Sequence, residues 1–448
     1  MSIVISVLIV ILILGILSTI HELGHFWTAC LLKIKAFEVS IFVGPQLVNW
    51  KRNGVDYSIR AIPIGAYVRF TDIDDDGKVV ESDDPSLLIN SARWKRLLIA
   101  LAGPFMNLLL GVIIFFCYFF FVTFPSLAVD ETLEGTQLYN ASYVAGDTLV
   151  AVNGETVYTP FDVQTIYSMD NITENMVITL KSQTDGSTYD VELVPEIESS
   201  LLIGITHHLD TDNKYNGWEI IDVYPPHNGG DPILQPGDFL VAVNDVAVAD
   251  EEAIEAIVSS HQDGDKVKIS YYRNGEYFEE DCAVTYMETT NSRGVYFKPI
   301  ESGTWKGAWD SFVYAVRMPI SVLVLTKDVV ADAFKGDVEA YNVVSGPVGV
   351  VNAVDEVVDN VDTDNSFKFT TLLCMAGFIS VALVITNMLP LPGLDGSQLI
   401  MIIVEMVIGH RVSRKTEDVI AVVGFIVLLL LVLFAFSSDI LKIVFEGW

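Results

Sequence analysis

A run of uncharged residues at the amino terminus ends in two histidines and a glutamate. Residues 3–20 read IVISVLIVILILGILSTI, which at about 1.5 Å per residue crosses most of a hydrocarbon core of roughly 30 Å. Apolar residues resume after the second histidine, so His21, Glu22 and His25 lie within the span. Ionisable groups there are costly and usually mark function. The segment therefore predicts a retained transmembrane helix with a functional site, not a cleaved signal peptide.

The spacing of these three side chains suits metal-assisted hydrolysis. Residues four apart share one helix face, so the imidazoles of His21 and His25 can bind one cation. Glu22 beside them can act as general base towards a water that Zn²⁺ has made more acidic. In a soluble chain, two solvated histidines would explain an HExxH run equally well. Within a membrane span that alternative loses most of its weight.

Composition separates an apolar part from an acidic part. Hydrophobic residues make up 51% of the 448 residues, yet the formal net charge is −32. Residues 125–369 hold 12 Lys and Arg against 42 Asp and Glu, so nearly all of the negative charge lies outside the spans. This balance repels phosphates and argues against a nucleic-acid partner. The four cysteines are widely spaced and predict neither a disulfide framework nor a CxxC metal site.

Residues 33–70 are predicted to form β-hairpins next to the membrane. Three strand-like runs, at 37–42, 57–62 and 66–70, alternate with turns that contain Gly, Pro or Asn-Gly. An exposed edge near the metal could pair with an extended peptide, whereas the alternative is a simple amphipathic loop. The acidic run 72–84 that follows is expected to be a solvated loop, and no role is assigned to it.

A second span is predicted from about Leu97 to Phe124 and contains the run GPFMN at 103–107. Small residues and Pro in a span permit close helix packing and a break in the backbone hydrogen bonds. Asn107 needs a hydrogen-bond partner at that depth. It is expected either to join two helices or to line the active-site cavity.

Two copies of one module follow the second span. VAGDTLVAVNG at 144–154 aligns with QPGDFLVAVND at 235–245, about 91 residues later. Each copy predicts a Gly-Asp turn, a buried strand, a helical stretch (161–168 and 251–260) and two further strands. This pattern resembles the PDZ domain, which binds extended peptides by strand addition or packs over another site. We expect PDZ-like domains at 126–206 and 207–300.

The carboxyl-terminal third is predicted to return to the membrane. Residues 305–334 favour an interfacial amphipathic helix, which with an acidic linker fills 301–368. A third span runs from about Phe369 to Leu389 and ends in NMLPLPGLDG, where two prolines unwind the helix and Asp395 offers a third metal ligand. His410 is next in line for that role. A fourth span follows from about Ile420.

Basic residues set the predicted orientation. Residues 33–96 hold ten Lys and Arg, and the loop after the third span holds three more, so both are expected in the cytoplasm. Residues 125–369 then lie outside. Glu22 and Asp395 come at similar depths along two spans of the same direction, so His21, His25 and Asp395 can meet near the cytoplasmic side.

These motifs in combination resemble the site-2 protease family of intramembrane zinc metalloproteases, closest to its regulator-of-sigma-E protease branch with tandem PDZ domains. The resemblance covers essentially the whole chain: HELGH, GPFMN, the tandem modules, SGPVG and NMLPLPGLDG. It implies that His21, His25 and Asp395 bind zinc, that Glu22 is the catalytic base and that Asn387 helps hold the substrate. The hairpin region resembles the family's re-entrant sheet, but the usual Gly-Phe-Gly is Phe42-Val43-Gly44 and Gly-Gly is Gly65-Ala66.

The sequence therefore predicts an α-helical polytopic membrane protein with four transmembrane helices, a membrane-associated β-hairpin sheet and two α+β PDZ-like domains between the second and third helices. The membrane domain comprises 1–125 and 369–448. Its expected function is regulated intramembrane proteolysis of membrane-anchored substrates that another protease has already trimmed, with the PDZ-like domains controlling access. Gly65 and Tyr67, together with Asn107 and Asn387, are expected at the substrate.

Two other classes of function fit parts of the sequence. A non-catalytic membrane scaffold presenting two PDZ modules would have no need of Glu22, which the intact HExxH opposes. A zinc transporter fits the sequence poorly, because a single metal site and a large exterior module do not suit the transport of an ion across a membrane.

Overall fold

A computed structural model describes most of the chain as two compact units. The described residues are 2–71, 83–130, 138, 143–163, 175–194, 197–209, 215, 217–224, 227–248, 251–290, 297–300, 303–336, 346–359 and 365–446. Unit 1 comprises Met1–Leu127, Val157–Gln164 and Lys298–Trp448, and unit 2 comprises Ala128–Thr156 and Thr165–Phe297. Most of the acidic run 72–84 and of the first predicted module helix, 161–168, lies outside the described residues.

Long helices make up most of unit 1. In chain order the described α-helices are α1 (Ser2–Leu31), α2 (Arg93–Phe121), α3 (Glu251–Ser259, in unit 2), α4 (Trp305–Lys335), α5 (Pro347–Asp359), α6 (Asn365–Asn387), α7 (Asp395–Ile408) and α8 (Arg414–Glu446). Within the described residues, four helical segments are long and apolar enough to cross a membrane, namely Ile3–Leu31, Arg93–Phe121, Asn365–Asn387 and Val419–Lys442. They confirm the four predicted spans, with ends displaced by a few residues.

Two helices of unit 1 differ from the sequence prediction. The acidic stretch predicted as a linker is helical up to Asp359, because α5 is held at both ends: the carboxylate of Asp439 accepts hydrogen bonds from the first backbone N–H groups of α5, and Ser6 Oγ donates to Asp355 at 2.6 Å. Helix α7 was not predicted, because the Pro and Gly residues before it indicate only where α6 ends. It stops at Gly409, whose φ of 82° lies in the left-handed region.

The predicted hairpins form a small sheet of two long strands, β1 (Glu38–Arg52) and β2 (Val55–Arg69). Residues 38–41 of β1 pair with two separate parts of β2, residues 56–59 and residues 66–69. The first part of β1 is therefore an inner segment, whereas residues 66–69 pair with β1 on one side only. Phe26 of α1 packs with Val39 of β1, so the sheet lies against the first span.

Unit 2 is built from β-sheets. The remaining strands, of which β3 and β16 lie partly in unit 1, are β3 (Pro125–Val129), β4 (Thr148–Val152), β5 (Glu155–Thr156), β6 (Met176–Lys181), β7 (Thr188–Leu193), β8 (Ile197–Leu202), β9 (Ile205–Leu209), β10 (Trp218–Val223), β11 (Phe239–Val243), β12 (Val246–Ala247), β13 (Lys266–Arg273), β14 (Glu276–Ala283), β15 (Thr285–Thr290) and β16 (Phe297–Pro299). One sheet has the order β16-β3-β4-β6-β7, another β14-β13-β11-β10-β9, and β8 pairs with β15.

The duplication found in the sequence recurs in these strands. The segments β4-β6-β7 and β11-β13-β14 are two antiparallel runs of the same order, and each begins with the strand that carries the repeated residues Val-Ala-Val. In both copies the Asp before the strand, Asp147 or Asp238, accepts a hydrogen bond from the backbone N–H three residues earlier. The PDZ-like character of the copies stays a prediction.

Candidate metal centre

Helix α1 places His21 and His25 one turn apart on a buried face, each with 7% of its surface exposed. Their Nε2 atoms lie 3.2 Å apart, and the two rings meet edge to face. A neutral imidazole has one nitrogen that donates and one that accepts. The pair is therefore arranged so that one nitrogen of each ring faces a shared point.

Asp395 reaches the same point from the first residue of α7. Its Oδ2 lies 2.9 Å from Nε2 of His21 and 3.4 Å from Nε2 of His25. The chain turns sharply between α6 and α7, with φ at 95° in Gly393 and with Gly396 packed so closely that a Cβ would lie 2.3 Å from the carbonyl oxygen of Leu389. Glycine at these two positions lets α7 begin where its first carboxylate meets the histidines.

Helix α2 covers the other side of the histidine pair. His25 Nδ1 lies 2.6 Å from the backbone carbonyl oxygen of Ile99, so Nδ1–H donates and Nε2 keeps a free lone pair. One turn later, a Cβ on Gly103 would lie 2.3 Å from Nε2 of His25 and 2.6 Å from Nε2 of His21. The missing side chain of Gly103 thus leaves open the space in front of both nitrogens.

These residues fit a metal ion. The carboxylate oxygen Oδ2 of Asp395 is buried and makes no hydrogen bond, although two imidazoles face it. Bond lengths of about 2.0–2.1 Å in a tetrahedral site place two ligand atoms roughly 3.3 Å apart, and the three separations here are 2.9, 3.2 and 3.4 Å. Among the described residues, His21, His25 and Asp395 are the one group that meets the requirements for a metal site. Two imidazoles and a carboxylate are a donor set of catalytic zinc.

Glu22 lies beside this cluster and is held by the β-sheet. Its Oε2 accepts a hydrogen bond of 3.1 Å from the backbone N–H of Val68 in β2. Arg69 uses its carbonyl to pair with Phe37, so Val68, its neighbour, directs its backbone groups to the opposite side of the strand. The open edge of residues 66–69 therefore faces Glu22.

A cavity of about 650 Å³ joins Glu22 and the metal cluster to a polar end of unit 1. The side chains that line it include Glu22, His25, Tyr67, Val68, Phe70, Arg96, Ile99, Asp395, Gln398, Ile402, Glu405, Arg411 and Glu417. Glu405 is buried and accepts a hydrogen bond of 2.7 Å from Nη1 of Arg96, which ties α7 to α2. The cavity is large enough for several residues of an extended peptide or for water.

The comparisons with known proteins agree with this geometry. The model of Peptidase family M50 matches residues 9–431. The chain belongs to Peptidase family M50. This finding confirms the resemblance to site-2 proteases that the motifs indicate.

Curated members of the family match along nearly their whole length. A regulator of sigma E protease from Haemophilus influenzae is 23% identical, over 97% of this chain and 98% of that protein. Zinc metalloproteases RasP from Shouchella clausii and Oceanobacillus iheyensis are 25% and 24% identical; they cover 96% and 97% of this chain, and 97% and 98% of their own lengths.

Other residues expected at the M50 site lie at different distances from it. Tyr67 lines the cavity, and Gly65, with φ at 70°, lies in β2 directly before the open segment of residues 66–69. Asn387 is the last residue of α6 and is half-buried outside the cavity lining. Asn107 is buried, contacts Nδ1 of His21 and is not among the residues that line the cavity. His410 is exposed and lies outside the metal cluster.

An ion cluster fixes the open strand segment. Glu38 of β1 accepts hydrogen bonds from the hydroxyl of Tyr67 at 2.5 Å, from Arg60 at 2.9 Å and from Arg69 at 3.3 Å. Burial works to raise the pKa of Glu38, but these three donors outweigh it and lower the pKa. Glu38 therefore stays charged and holds Tyr67 with its hydroxyl turned into the sheet.

Three contributors to the site have weak signals or none in the sequence. Gly103 belongs to the GPFMN run, whose small residue predicts close packing but not the open space before the imidazoles. The N–H of Val68 is a backbone group, for which no residue type gives a signal. Arg96 and Glu405 are 309 residues apart and lie in different predicted elements, so their pairing needs the tertiary structure.

Proposed function

We propose that this chain is an intramembrane zinc metalloprotease that hydrolyses peptide bonds within or next to transmembrane segments of membrane-anchored proteins. The observation that carries the proposal is the convergence of His21, His25 and Asp395 on helices α1 and α7, with Glu22 beside them and α1 long and apolar enough to span a membrane. The zinc metalloproteases among its M50 relatives support the choice of metal. His21, His25 and Asp395 would hold the ion.

The residues of this chain supply the proton transfers. Bound zinc polarises the scissile carbonyl and lowers the pKa of water. Glu22 takes a proton from the attacking water and later passes it to the amine nitrogen of the leaving peptide, so that one carboxylate serves both halves of the reaction. The N–H of Val68 holds one carboxylate oxygen of Glu22 and leaves the other for this transfer.

The substrate would bind in an extended conformation along the open edge of residues 66–69. A helix satisfies its own backbone groups, so a spanning substrate must unwind before a protease can reach a peptide bond. Strand addition to this edge would satisfy the groups that unwinding exposes. Gly65 and Tyr67 would contact the substrate there, and Asn387 would hold it from the end of α6.

The membrane orientation follows from the distribution of basic residues. Lys and Arg near the β1-β2 sheet and after α7 favour the cytoplasm for both regions. The metal cluster would then lie towards the cytoplasmic side of the cell membrane, and unit 2 would lie outside.

The two copies in unit 2 would be PDZ-like domains, at about 126–206 and 207–300, that control access. They cannot supply catalytic groups from the opposite side of the membrane. A substrate with a large exterior domain would be excluded, whereas one trimmed by another protease would be admitted. A non-catalytic scaffold is the alternative function, and it predicts that Glu22 is dispensable.

Glu22→Gln tests the catalytic proposal. The amide cannot accept the proton, so cleavage of a single-span reporter protein should fall by about 10²–10⁴-fold, while zinc content stays equal to that of the unmodified protein. Glu356→Gln, at an exposed site on α5, removes the same charge and should leave both unchanged. Cleavage by Glu22→Gln at a normal rate would show that Glu22 is not the general base, whereas a non-catalytic scaffold predicts no cleavage by the unmodified protein.

A double replacement tests access control. Phe161 stacks on Phe124, and Asp162 accepts a hydrogen bond from Ser321 of α4, so the segment Val157–Gln164 stabilises unit 1 and should be kept. Flexible linkers would replace Ala128–Thr156 and Thr165–Phe297. The variant should bind zinc and cleave reporters with and without a large exterior domain. If it still rejects the large reporter as the intact chain does, unit 2 does not control access.

A further inference from the structure

We propose that Asn107 is a positioning residue for the metal site: its amide oxygen accepts a hydrogen bond from Nδ1–H of His21 and so keeps Nε2 of His21 free to bind the ion. The inference rests on the proposed zinc site. It gives Asn107 a role on the metal ligand in place of contact with the substrate.

The position of Asn107 restricts what its side chain can do. Only 1% of the residue is exposed, and the amide lies 3.3 Å from Nδ1 of His21. Asn107 is absent from the residues that line the cavity, and its amide contacts His21. Its side chain therefore acts through His21.

The amide of Asn107 has two orientations, which differ in the atom that faces His21. With Nδ2 towards His21, Oδ1 of Asn107 is buried and has no hydrogen-bond partner among the described residues. An unpaired buried acceptor costs about 1–3 kcal/mol. Turning the amide by 180° exchanges Oδ1 and Nδ2 and places the acceptor at Nδ1 of His21. The rotation leaves Nδ2 where Oδ1 was, so the number of hydrogen bonds does not separate the two orientations, and the lone pair that a metal requires on Nε2 of His21 selects the rotated one.

The same rotation decides which nitrogen of His21 can bind a metal. If Nδ2 donates to Nδ1, Nδ1 is the acceptor and the proton of the neutral ring sits on Nε2, which then cannot be a ligand. If Oδ1 accepts from Nδ1–H, the lone pair of Nε2 faces Asp395 and His25. Metal-binding imidazoles commonly donate their second N–H to a carbonyl or carboxylate, and this fixes both tautomer and ring orientation.

His25 provides an internal precedent. Its Nδ1–H donates to the carbonyl oxygen of Ile99, also on α2. Ile99, Gly103 and Asn107 are four residues apart and share one face of α2. Ile99 accepts a hydrogen bond from Nδ1 of His25, and Gly103 leaves space in front of both Nε2 atoms. Asn107 contacts Nδ1 of His21. Helix α2 thus orients both imidazoles: the backbone carbonyl of Ile99 orients His25, and the side chain of Asn107 orients His21.

Zinc affinity of the full-length protein in detergent, measured by competition with a chelator, tests this role. Asn107→Leu has a similar size and no acceptor, and its zinc dissociation constant should rise about 10–100-fold. Asn107→Asp keeps an oxygen for Nδ1–H and should stay within about threefold of the unmodified protein. A residue needed only for packing would tolerate Leu better than a buried carboxylate.

Ser380→Ala is the matched control. Ser380 Oγ of α6 donates to the backbone oxygen of Asn107 in α2 at 2.8 Å. Removal of this hydroxyl disturbs the packing of α6 on α2 at Asn107 but leaves the contact between the Asn107 amide and the imidazole of His21 in place. Its zinc affinity should be unchanged, and thermal unfolding without metal should reveal any loss of folding in Asn107→Leu. Normal affinity of folded Asn107→Leu, or an Asp variant as weak as Leu, would overturn the inference.

The site itself is checked in the same assay. His21→Ala should lose zinc binding. If the unmodified protein binds no zinc, or if His21→Ala binds it normally, the proposed metal site fails and the role of Asn107 fails with it. A zinc-binding protein that needs His21 but not Asn107 leaves the proposed function standing and overturns the inference alone.

Discussion

Among the residues whose burial the structure describes, three histidines are almost completely buried, two in unit 1 and one in unit 2, and their nitrogens have different partners. His227 in unit 2 is paired by backbone at both nitrogens: Nδ1 donates to the carbonyl oxygen of Ile203, and Nε2 accepts from the N–H of Leu234. His21 and His25 have a partner on α2 for one nitrogen each, while the other faces a carboxylate. The three imidazoles are buried to a similar degree, but the partners of their nitrogens differ.

Buried carboxylates show the same contrast. Asp238 in unit 2 accepts from the N–H of Gln235 and from two nitrogens of Arg273, at 2.6–2.8 Å. Asp395 has a buried oxygen with no hydrogen bond. Folding alone selects complete pairing, because unpaired buried polar atoms are destabilising. Several incomplete groups that point to one place therefore indicate a missing ligand.

One unpaired atom is not enough for that conclusion. Nε1 of Trp218 in unit 2 is also buried without a hydrogen bond. Its ring stacks on His207, with centroids 3.9 Å apart, and no group of potential metal ligands surrounds it among the described residues. What distinguishes unit 1 is convergence: the Nε2 atoms of His21 and His25 and a carboxylate oxygen of Asp395 lie together, and Gly103 leaves open the space in front of the two nitrogens.

The comparison predicts its largest effect for Asp395→Ala. Removal of one of three ligands should weaken zinc binding by more than loss of an outer partner does, at least about 100-fold, and should abolish cleavage. Folding should change less than zinc binding, because the buried oxygen Oδ2 of Asp395 makes no hydrogen bond and only its contacts with His21 and His25 are lost. Metal analysis of the purified protein measures zinc binding, and thermal unfolding without metal measures the stability of the fold. Normal zinc content would mean that another residue is the third ligand.

Asp238→Ala should give the opposite result. Arg273 would lose its carboxylate, and the turn before β11 would lose its cap, so unit 2 should be destabilised by about 2–3 kcal/mol. Hydrogen exchange of β11 and β13 would report this loss, whereas zinc content should be normal. Asp231→Ala, at an exposed site, is the control. Loss of zinc binding in Asp238→Ala would show that a role in folding, as for Asp238, and a role in metal binding, as for Asp395, cannot be told apart by hydrogen-bond pairing.

The sequence predicts the ligands better than it predicts their supports. His21 and His25 follow from the helical spacing of four, and Asp395 follows as the one carboxylate at an unwound helix end. The turn residues before Asp395 give no signal for α7, because Pro and Gly indicate the end of one helix but not the start of the next. The partners of Glu22 and His21 come from Val68 and Asn107, 46 and 86 residues away. Such pairings depend on packing, which local patterns do not encode.

The smallest predicted effect concerns Asp147, the counterpart of Asp238 in the first copy. Burial works to raise the pKa of Asp147, but hydrogen bonds from the hydroxyl of Tyr189 and from the N–H groups of Gln183 and Val144 outweigh it and lower the pKa. The folded protein therefore binds fewer protons than the unfolded chain. The stability from Asp147 is present above the unfolded pKa of about 3.9 and is lost as pH falls through the folded pKa.

Asp147→Asn should remove this dependence and cost on the order of 1 kcal/mol near neutral pH. Hydrogen exchange of β4 and β6, corrected for the intrinsic pH dependence of exchange, would measure it between about pH 3 and pH 7. Tyr189→Phe removes one of the three donors and should give an intermediate slope, while β11 in the second copy serves as an internal reference. An equally steep loss of protection in Asp147→Asn would assign the acid sensitivity to other carboxylates. A flat profile in Asp147→Asn would assign it to this paired carboxylate of unit 2.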